Sequence, residues 1–333
     1  MTFKFKNAYI ENTSLIAGYY EKLSPYAKYF DKIYEKDFYF KEKSLEQAET
    51  KLLSESIDLL LKKSKKTKDE IDVIIAGDLL NQITSSSYAI LNKNIPFLGV
   101  YSACATSNES IIIASAMIDT KHIGNAICST SSHNLTSEKQ FRNPIEYGGL
   151  KPKTATFTAT GGASILITSK KTDIKIESGT IGKIMDLGVK DANNMGAVMA
   201  PAAADTIARH LFDLGRDINY YDLILTGDLG IFGKEILKEF IKKDYNIILD
   251  SRYDDCGAML YNLEKQKEIT AGGSGPVCAP LINYGFVYQM LKKKHFKKVL
   301  LVTTGALFSP TFLYQKNNIL SIAHAISLEV VEK

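Results

Sequence analysis

The chain repeats itself. "IDVIIAGDL" at 71–79 returns as "YDLILTGDL" at 221–229, with five of nine positions identical and the others conservative. Downstream of the first copy, "VYSACATSNES" at 100–110 places a cysteine between small residues, at the end of an apolar run and ahead of a helical pattern. "AGGSGPVCAP" at 271–280 stands at the corresponding place in the second half. "NAICSTSSH" at 125–133 is then mirrored by "KVLLVTTGA" at 298–306. Three matches in one order, about 150–175 residues apart, point to an internal duplication rather than to the general likeness of buried strands. The strands are uniformly apolar and separated by helices, as in a parallel sheet covered on both faces. The expected fold class is therefore α/β, built from two duplicated halves. Residues 1–170 form the half that carries Cys104, residues 171–333 form the other, and no linker composition separates them.

Helical spacing predicts a helix over 45–64 and a short one near 84–91. Strands are expected at 72–77, 96–102 and 125–130. "GGASILIT" and "IKIESGTIGKI" follow without an intervening helix and are placed to pair antiparallel. The N-terminus lacks the apolar stretch of a signal peptide, and no window approaches about 18 uninterrupted apolar residues. Cys104, Cys128, Cys256 and Cys278 are widely spaced, which argues against a zinc knuckle or a disulfide framework and fits a cytoplasmic-type protein. A net charge of +4 is mild. The densest basic run, "KKKHFKK" at 292–298, reads as the solvated end of a helix. Its functional alternative is a contact with anionic lipid, ahead of nucleic acid, because aromatic residues are not interleaved with the lysines.

The turn at Cys104 is the chemical focus. Where a buried strand turns into a helix, unpaired backbone N–H groups converge, and the helix dipole favours negative charge. A thiol there is acidified, and the same amides can cradle an oxyanion or a carboxylate. A cysteine at a tight corner equally serves as packing. His133, in "TSSHN", is the first-half imidazole that could act as a base, or it is a hydrogen-bonded loop histidine. His122, His210 and His295 read as residues of helix surfaces or ends. His324 fits an alternating strand.

The cysteine turn and the duplication resemble the thiolase-like superfamily, whose condensing enzymes carry a cysteine nucleophile at this turn. The resemblance implies a five-layer αβαβα sandwich and a homodimer formed through the first-half sheet. It also locates the helpers such an enzyme requires from its second half. Asp228 stands where ketoacyl synthase-like members place a histidine, and Gly273 or Ser274 where they place an asparagine. "TTGALFS" at 303–309 lacks the thiolases' second cysteine. An aspartate there raises a thiol pKa instead of lowering it.

"DVIIAGDLLNQ", "TSSHN", "EKQFRNPIEYGGLKPKTAT", "GKIMDLG", "MAPAAADTI", "DLILTGDLG", "DDCG", "AGGSG" and "TTGALFSP" resemble, in order, the stage V sporulation protein AD family of spore-forming bacteria. The stretch 17–32 departs from the family, which is richer there in Gly and Pro. The resemblance implies a non-catalytic relative of the thiolases that binds dipicolinic acid, free or as its calcium chelate, with no cofactor of its own. It also implies membrane-embedded channel partners at the spore inner membrane, in sporulation and germination. In that reading Cys104, His133, Asp228, Gly273, Ser274 and Arg142 form the ligand site, with Lys151 and Lys153 as further cations. Arg142 would clamp one carboxylate, and Asp228 or Asp78 would face the calcium. Asp78 otherwise caps its strand end, and Asp254 and Asp255 organise a turn. Two alternatives remain: an acyltransferase with Cys104 acylated and His133 as base, and a ligand-free scaffold of the channel complex.

Overall fold

The two copies of the repeated nonapeptide become equivalent central strands, Val73–Gly77 and Leu223–Thr226. The computed structural model describes residues 1–141 and 151–332. Val73–Gly77 is flanked in parallel by Phe97–Gly99 and Asn125–Ser132, and Gly161–Thr168 and Tyr9–Ala17 continue the sheet antiparallel. Leu223–Thr226 is flanked in parallel by Tyr253–Asp255 and Lys298–Leu307, and Leu320–Val330 and Ile174–Ile181 continue antiparallel. Order and directions are the same in both halves. Tyr9 and Ile10 pair with Lys175 and Ile174, joining the halves into one continuous strand path.

Parallel neighbours need crossover helices, and these supply the layers. Leu45–Ser64 and Met195–Leu214 cover the outer faces of the first and second half, and Thr106–Asp119 packs against strands of both halves. The helical segment Cys278–Lys292 lies in the same central layer, which completes the αβαβα order. The outer helices show why these sequences begin and end where they do. The Ser44 hydroxyl accepts from the Gln47 N–H, and Lys65 in the left-handed region ends the first helix. Asn194 and Gly215 do the same for the second. Ile74, Ile75, Ile127 and Cys128 are fully buried, as strands covered on both faces must be.

Three expectations need correction. Gly161–Thr168 and Ile174–Ile181 do not pair with each other, because the N-terminal strand Tyr9–Ala17 inserts between them. Each run closes its own half-sheet, and the five-residue link merely passes from one to the other. The strand expected over 96–102 is only Phe97–Gly99, because the chain already bends toward the cysteine turn. His210 is not on a helix surface. It is fully buried between the Thr180 hydroxyl (2.7 Å) and the Tyr221 hydroxyl (2.8 Å), and burial lowers its pKa to about 4.

Candidate functional site

After Gly99 the chain makes a tight turn before the helix Thr106–Asp119. Ala103 takes up a left-handed conformation, φ +51°, costly for a residue with a Cβ. The turn is fixed by short local bonds. The Ala105 N–H donates to the Ser102 carbonyl (3.0 Å), and the Thr106 hydroxyl donates to the Ala103 carbonyl (2.7 Å). The second half holds it from outside. Thr303 donates to the Ala105 carbonyl (3.2 Å), and Gly305 lies so close that a Cβ there would sit 2.2 Å from the Ser102 oxygen. Cys104 is half-buried at the tip of this turn.

The corresponding turn of the second half faces it. Gly273–Ser274 pairs in parallel with Phe157–Thr158, Gly275 turns the chain at φ +98°, and Cys278 opens the second central helix. The N-terminal ends of both central helices therefore meet at one cavity of about 320 Å³. That is enough for a small planar ligand. Its polar wall is made by Tyr101, Ser137, Glu138, Thr158, Asn193 and Ser274, and its apolar wall includes Phe141, Met199 and Phe308. Among the described residues no lysine, arginine or histidine lines it, and Glu138 is the one carboxylate that does. Lys151 pairs with that carboxylate.

Electrostatically, the thiol is suppressed. Burial first, and then the Asp228 carboxylate, push the Cys104 pKa well above the usual thiol range, and the Gly275 backbone amide offsets this only in part. Asp228 is fully buried, and among the described residues the Cys278 thiol beside it is the one side chain that relieves its charge. Burial and the nearby Asp255 raise its own pKa well above that of an ordinary carboxyl. Its counterpart in the repeat is differently employed. Asp78 accepts from the Leu80 N–H (2.8 Å), the Ser86 N–H (2.7 Å) and the Ser86 hydroxyl (2.7 Å), the capping role expected of it. In the second half that role falls to Asp255, which accepts from Leu229, Gly230, Ala258 and Thr226.

Of the residues singled out in the sequence, Cys104 and Ser274 line the cavity together. Gly273 is buried behind Ser274, where a Cβ would approach the Cys278 sulfur to 3.0 Å. Asp228 lies out of reach of the cavity surface but close enough to act on the thiol. His133 is fully buried and is not part of the lining. Its Nε2 bonds the Phe38 carbonyl (2.8 Å) and its Nδ1 accepts from the Leu135 N–H (3.1 Å), so both nitrogens are occupied. Burial lowers its pKa. Arg142 lies outside the described residues. Glu138, Tyr101 and Asn193 were missed. Glu138 heads the "EKQFRNPIEYGG" motif, which was the available signal, but its position on the helix Asn134–Phe141 shows only once that helix is packed.

The geometry has close parallels. The family model described as "Stage V sporulation protein AD (SpoVAD)" matches residues 1–329. The stage V sporulation protein AD of Bacillus subtilis (strain 168) is 43% identical over 321 residues, which span 96% of this chain and 94% of that protein. Among solved structures, cerulenin-bound OleA of Xanthomonas campestris superposes with a TM-score of 0.64 at 12% identity, covering 98% of this chain and 100% of that one. Human mitochondrial 3-ketoacyl-CoA thiolase in complex with CoA gives 0.58 at 13% identity, covering 98% of each chain. The 3-oxoacyl-[acyl-carrier-protein] synthase III of Aquifex aeolicus VF5 gives 0.57 at 12% identity, covering 97% of this chain and 99% of that one. At such identities these structures establish the thiolase-like fold and nothing about chemistry.

Proposed function

Because this chain belongs to the stage V sporulation protein AD family, we propose that it binds dipicolinic acid in the cavity beside Cys104 without transforming it. The protein then acts with membrane-embedded channel subunits during sporulation and germination. The observation that carries this reading is the placement of a buried Asp228 beside Cys104, where a condensing enzyme needs a group that activates the sulfur. Neither form of that group activates the sulfur: ionised it raises the thiol pKa, and protonated it is no base. His133, with both nitrogens engaged, offers no replacement base. What remains is a hollow lined by hydroxyls and by the Gly275 backbone, sized for a small planar acid.

The ligand form follows from charge. A free dianion finds hydroxyls and the Gly275 backbone in the cavity but no cationic side chain in its described lining, so its lost hydration is compensated only in part. The calcium chelate is neutral overall, and its metal accepts further oxygen ligands. Glu138 and Asn193 are the lining residues suited to supply them. Asp228 then serves the site only through Cys104, and His133 and Gly273 serve as framework. A homodimer through the first-half sheet belongs to the same proposal. Phe97–Gly99 is the edge strand of the sheet, and Leu91, Leu98 and Tyr101 are exposed beside it, a surface that is otherwise a liability.

Calorimetry with dipicolinate, with and without calcium, tests the reading. Heat of binding that is larger with calcium supports it, and a folded protein giving no heat under either condition overturns it in favour of a scaffold. Intact-mass measurement with acyl-CoA thioesters tests the absence of chemistry. An adduct that disappears in Cys104→Ser would show a working nucleophile.

A further inference from the structure

The duplication that brings two helix N-termini to the cavity also brings two helix C-termini to the opposite end of the molecule, and those ends are written alike. "TKHI" at 120–123 follows the first central helix, and "KKHF" at 293–296 follows the second. Lys121 and Lys294 are both left-handed, φ +62° and +59°. The Lys121 and His122 amides close back on Ile118 and Met117, and the Lys294 and His295 amides on Leu291 and Met290, all at 2.9–3.0 Å. Each is a helix C-cap whose lysine complements the negative end of the dipole.

The two caps are bridged into one surface. The Ser169 N–H donates to the Gly124 carbonyl (2.8 Å), and the Val331 N–H donates to the Asp173 carbonyl (2.8 Å). Asp173 also pairs with Lys292 (2.9 Å). The link carrying Lys170 and Lys171 therefore lies between the caps. Lys121, Lys170, Lys171, Lys293 and Lys294 are all exposed, and among the described residues no ion pair engages any of them. Carboxylates share this end, but Asp72, Asp119 and Asp222 accept from backbone amides and Asp173 pairs with Lys292, so among the described residues none of them is paired with these five lysines.

We propose that this lysine-rich end docks on an anionic lipid bilayer, holding the cavity mouth on the far side of the molecule from the membrane. The proposal rests on the reading that the protein works at a membrane, and adds which face meets it and what recognises it. Charge complementarity commits it to a lipid surface. The cations come from three separate segments at one end of a sandwich, as a planar array of headgroups requires, and they carry no aromatic platform for a nucleic-acid base. Ile123 and Phe296 are packed against the core, so the contact is electrostatic and inserts no side chain. The strand Asn125–Ser132 runs from this end to the cavity, where Ser132 approaches Gly275, so the two surfaces are roughly 25 Å apart.

The test is flotation of the full chain with phosphatidylcholine vesicles containing phosphatidylglycerol, and with pure phosphatidylcholine vesicles. Binding is expected only to the first and is lost at high salt. Changing Lys170, Lys171, Lys293 and Lys294 to Gln should weaken it by roughly a thousandfold, at about one kcal/mol per lysine. Changing the exposed Lys36, Lys43, Lys265 and Lys267 to Gln should leave it close to wild type. Absence of binding to the anionic vesicles, equal loss in both variants, or tighter binding to duplex DNA than to vesicles would overturn the proposal. Dipicolinate calorimetry on the same variants judges the ligand reading separately, since none of these lysines lines the cavity.

Discussion

Gly305 is a position where a single methyl group should disturb the site from the opposite half. It lies on Lys298–Leu307, in the second half, with its backbone against the first-half turn that carries Cys104. A Cβ would sit 2.2 Å from the Ser102 carbonyl oxygen, 3.2 Å from its carbon and 3.3 Å from the Ala105 nitrogen. All three neighbours are backbone, so no side chain can swing aside. The oxygen must retreat by about 1 Å to reach ordinary contact. That oxygen is also the acceptor that holds the Ala105 N–H, so the whole turn moves with it. Overpacking of this kind costs roughly 1–3 kcal/mol, which lowers the melting temperature by roughly 1–4 °C in a protein of this size. Gly305→Ala should also weaken dipicolinate binding by roughly tenfold, because the turn forms one wall of the cavity. Gly188→Ala is the control. Its φ of +75° costs about 1 kcal/mol, but nothing lies within 4 Å, so ligand affinity should not change. Thermal melts and calorimetry on both variants decide the matter. If Gly305→Ala melts and binds like wild type, the contact between the halves does not hold the cysteine turn, and the argument from close packing fails.

Asp228→Asn should make Cys104 react faster with iodoacetamide at a fixed alkaline pH, because the charge that raises the thiol pKa is removed while burial remains; an unchanged or slower rate would place Asp228 outside the thiol's electrostatic reach. Glu49, buried with a pKa raised to about 8, holds its proton in the fold while the unfolded chain has released it, so wild-type stability should decline as pH rises from about 4.5 to 8. Glu49→Gln should gain on wild type by a few kcal/mol across that window in urea titrations, and a difference that stays constant with pH would contradict the assignment. Leu98→Lys, on the exposed edge strand, should convert a dimer into a monomer in light scattering without lowering the melting temperature of the monomer. A variant that stays dimeric would move the interface elsewhere.

The sequence was most legible where local signals agreed. The helix expected over 45–64 is Leu45–Ser64 to the residue, because helical spacing, a serine cap and a terminal lysine run all agree. The order of the central strands was legible through the duplicated nonapeptide. The pairing of Tyr9–Ala17 between Gly161–Thr168 and Ile174–Ile181 was not, since a strand some 150 residues away leaves no local trace of where it inserts. The burial of His210 was hidden for a similar reason. Its partners Thr180 and Tyr221 lie on other elements, and an imidazole in a helix reads as exposed until they are found. Cys104 and Ser274 could be named because each sits at a turn with its own composition. Glu138 could not, because a charged residue in a polar helical stretch looks the same whether it faces solvent or a cavity.

The two aspartates of the repeated "GDL" carry the history of the site. Both follow a central strand, and in a symmetric molecule both would cap the turn that comes next. Asp78 does so with three bonds and is thereby fixed as structure. In the second half, the strand Tyr253–Asp255 brings a third aspartate to that turn, and Asp255 takes its amides. Asp228 is left buried with only the Cys278 thiol to relieve it among the described residues, a placement that costs stability unless the carboxyl stays protonated. Nothing in the packing of the second half requires such a group. Its physical consequence is felt across the pseudo-symmetric interface, on the sulfur of Cys104. A chain under selection for stability alone would place an apolar residue there, and one under selection for acyl transfer would place a group that ionises the thiol. A group that leaves the thiol neutral agrees with the proposed role of the cavity, in which a ligand is held and released unchanged.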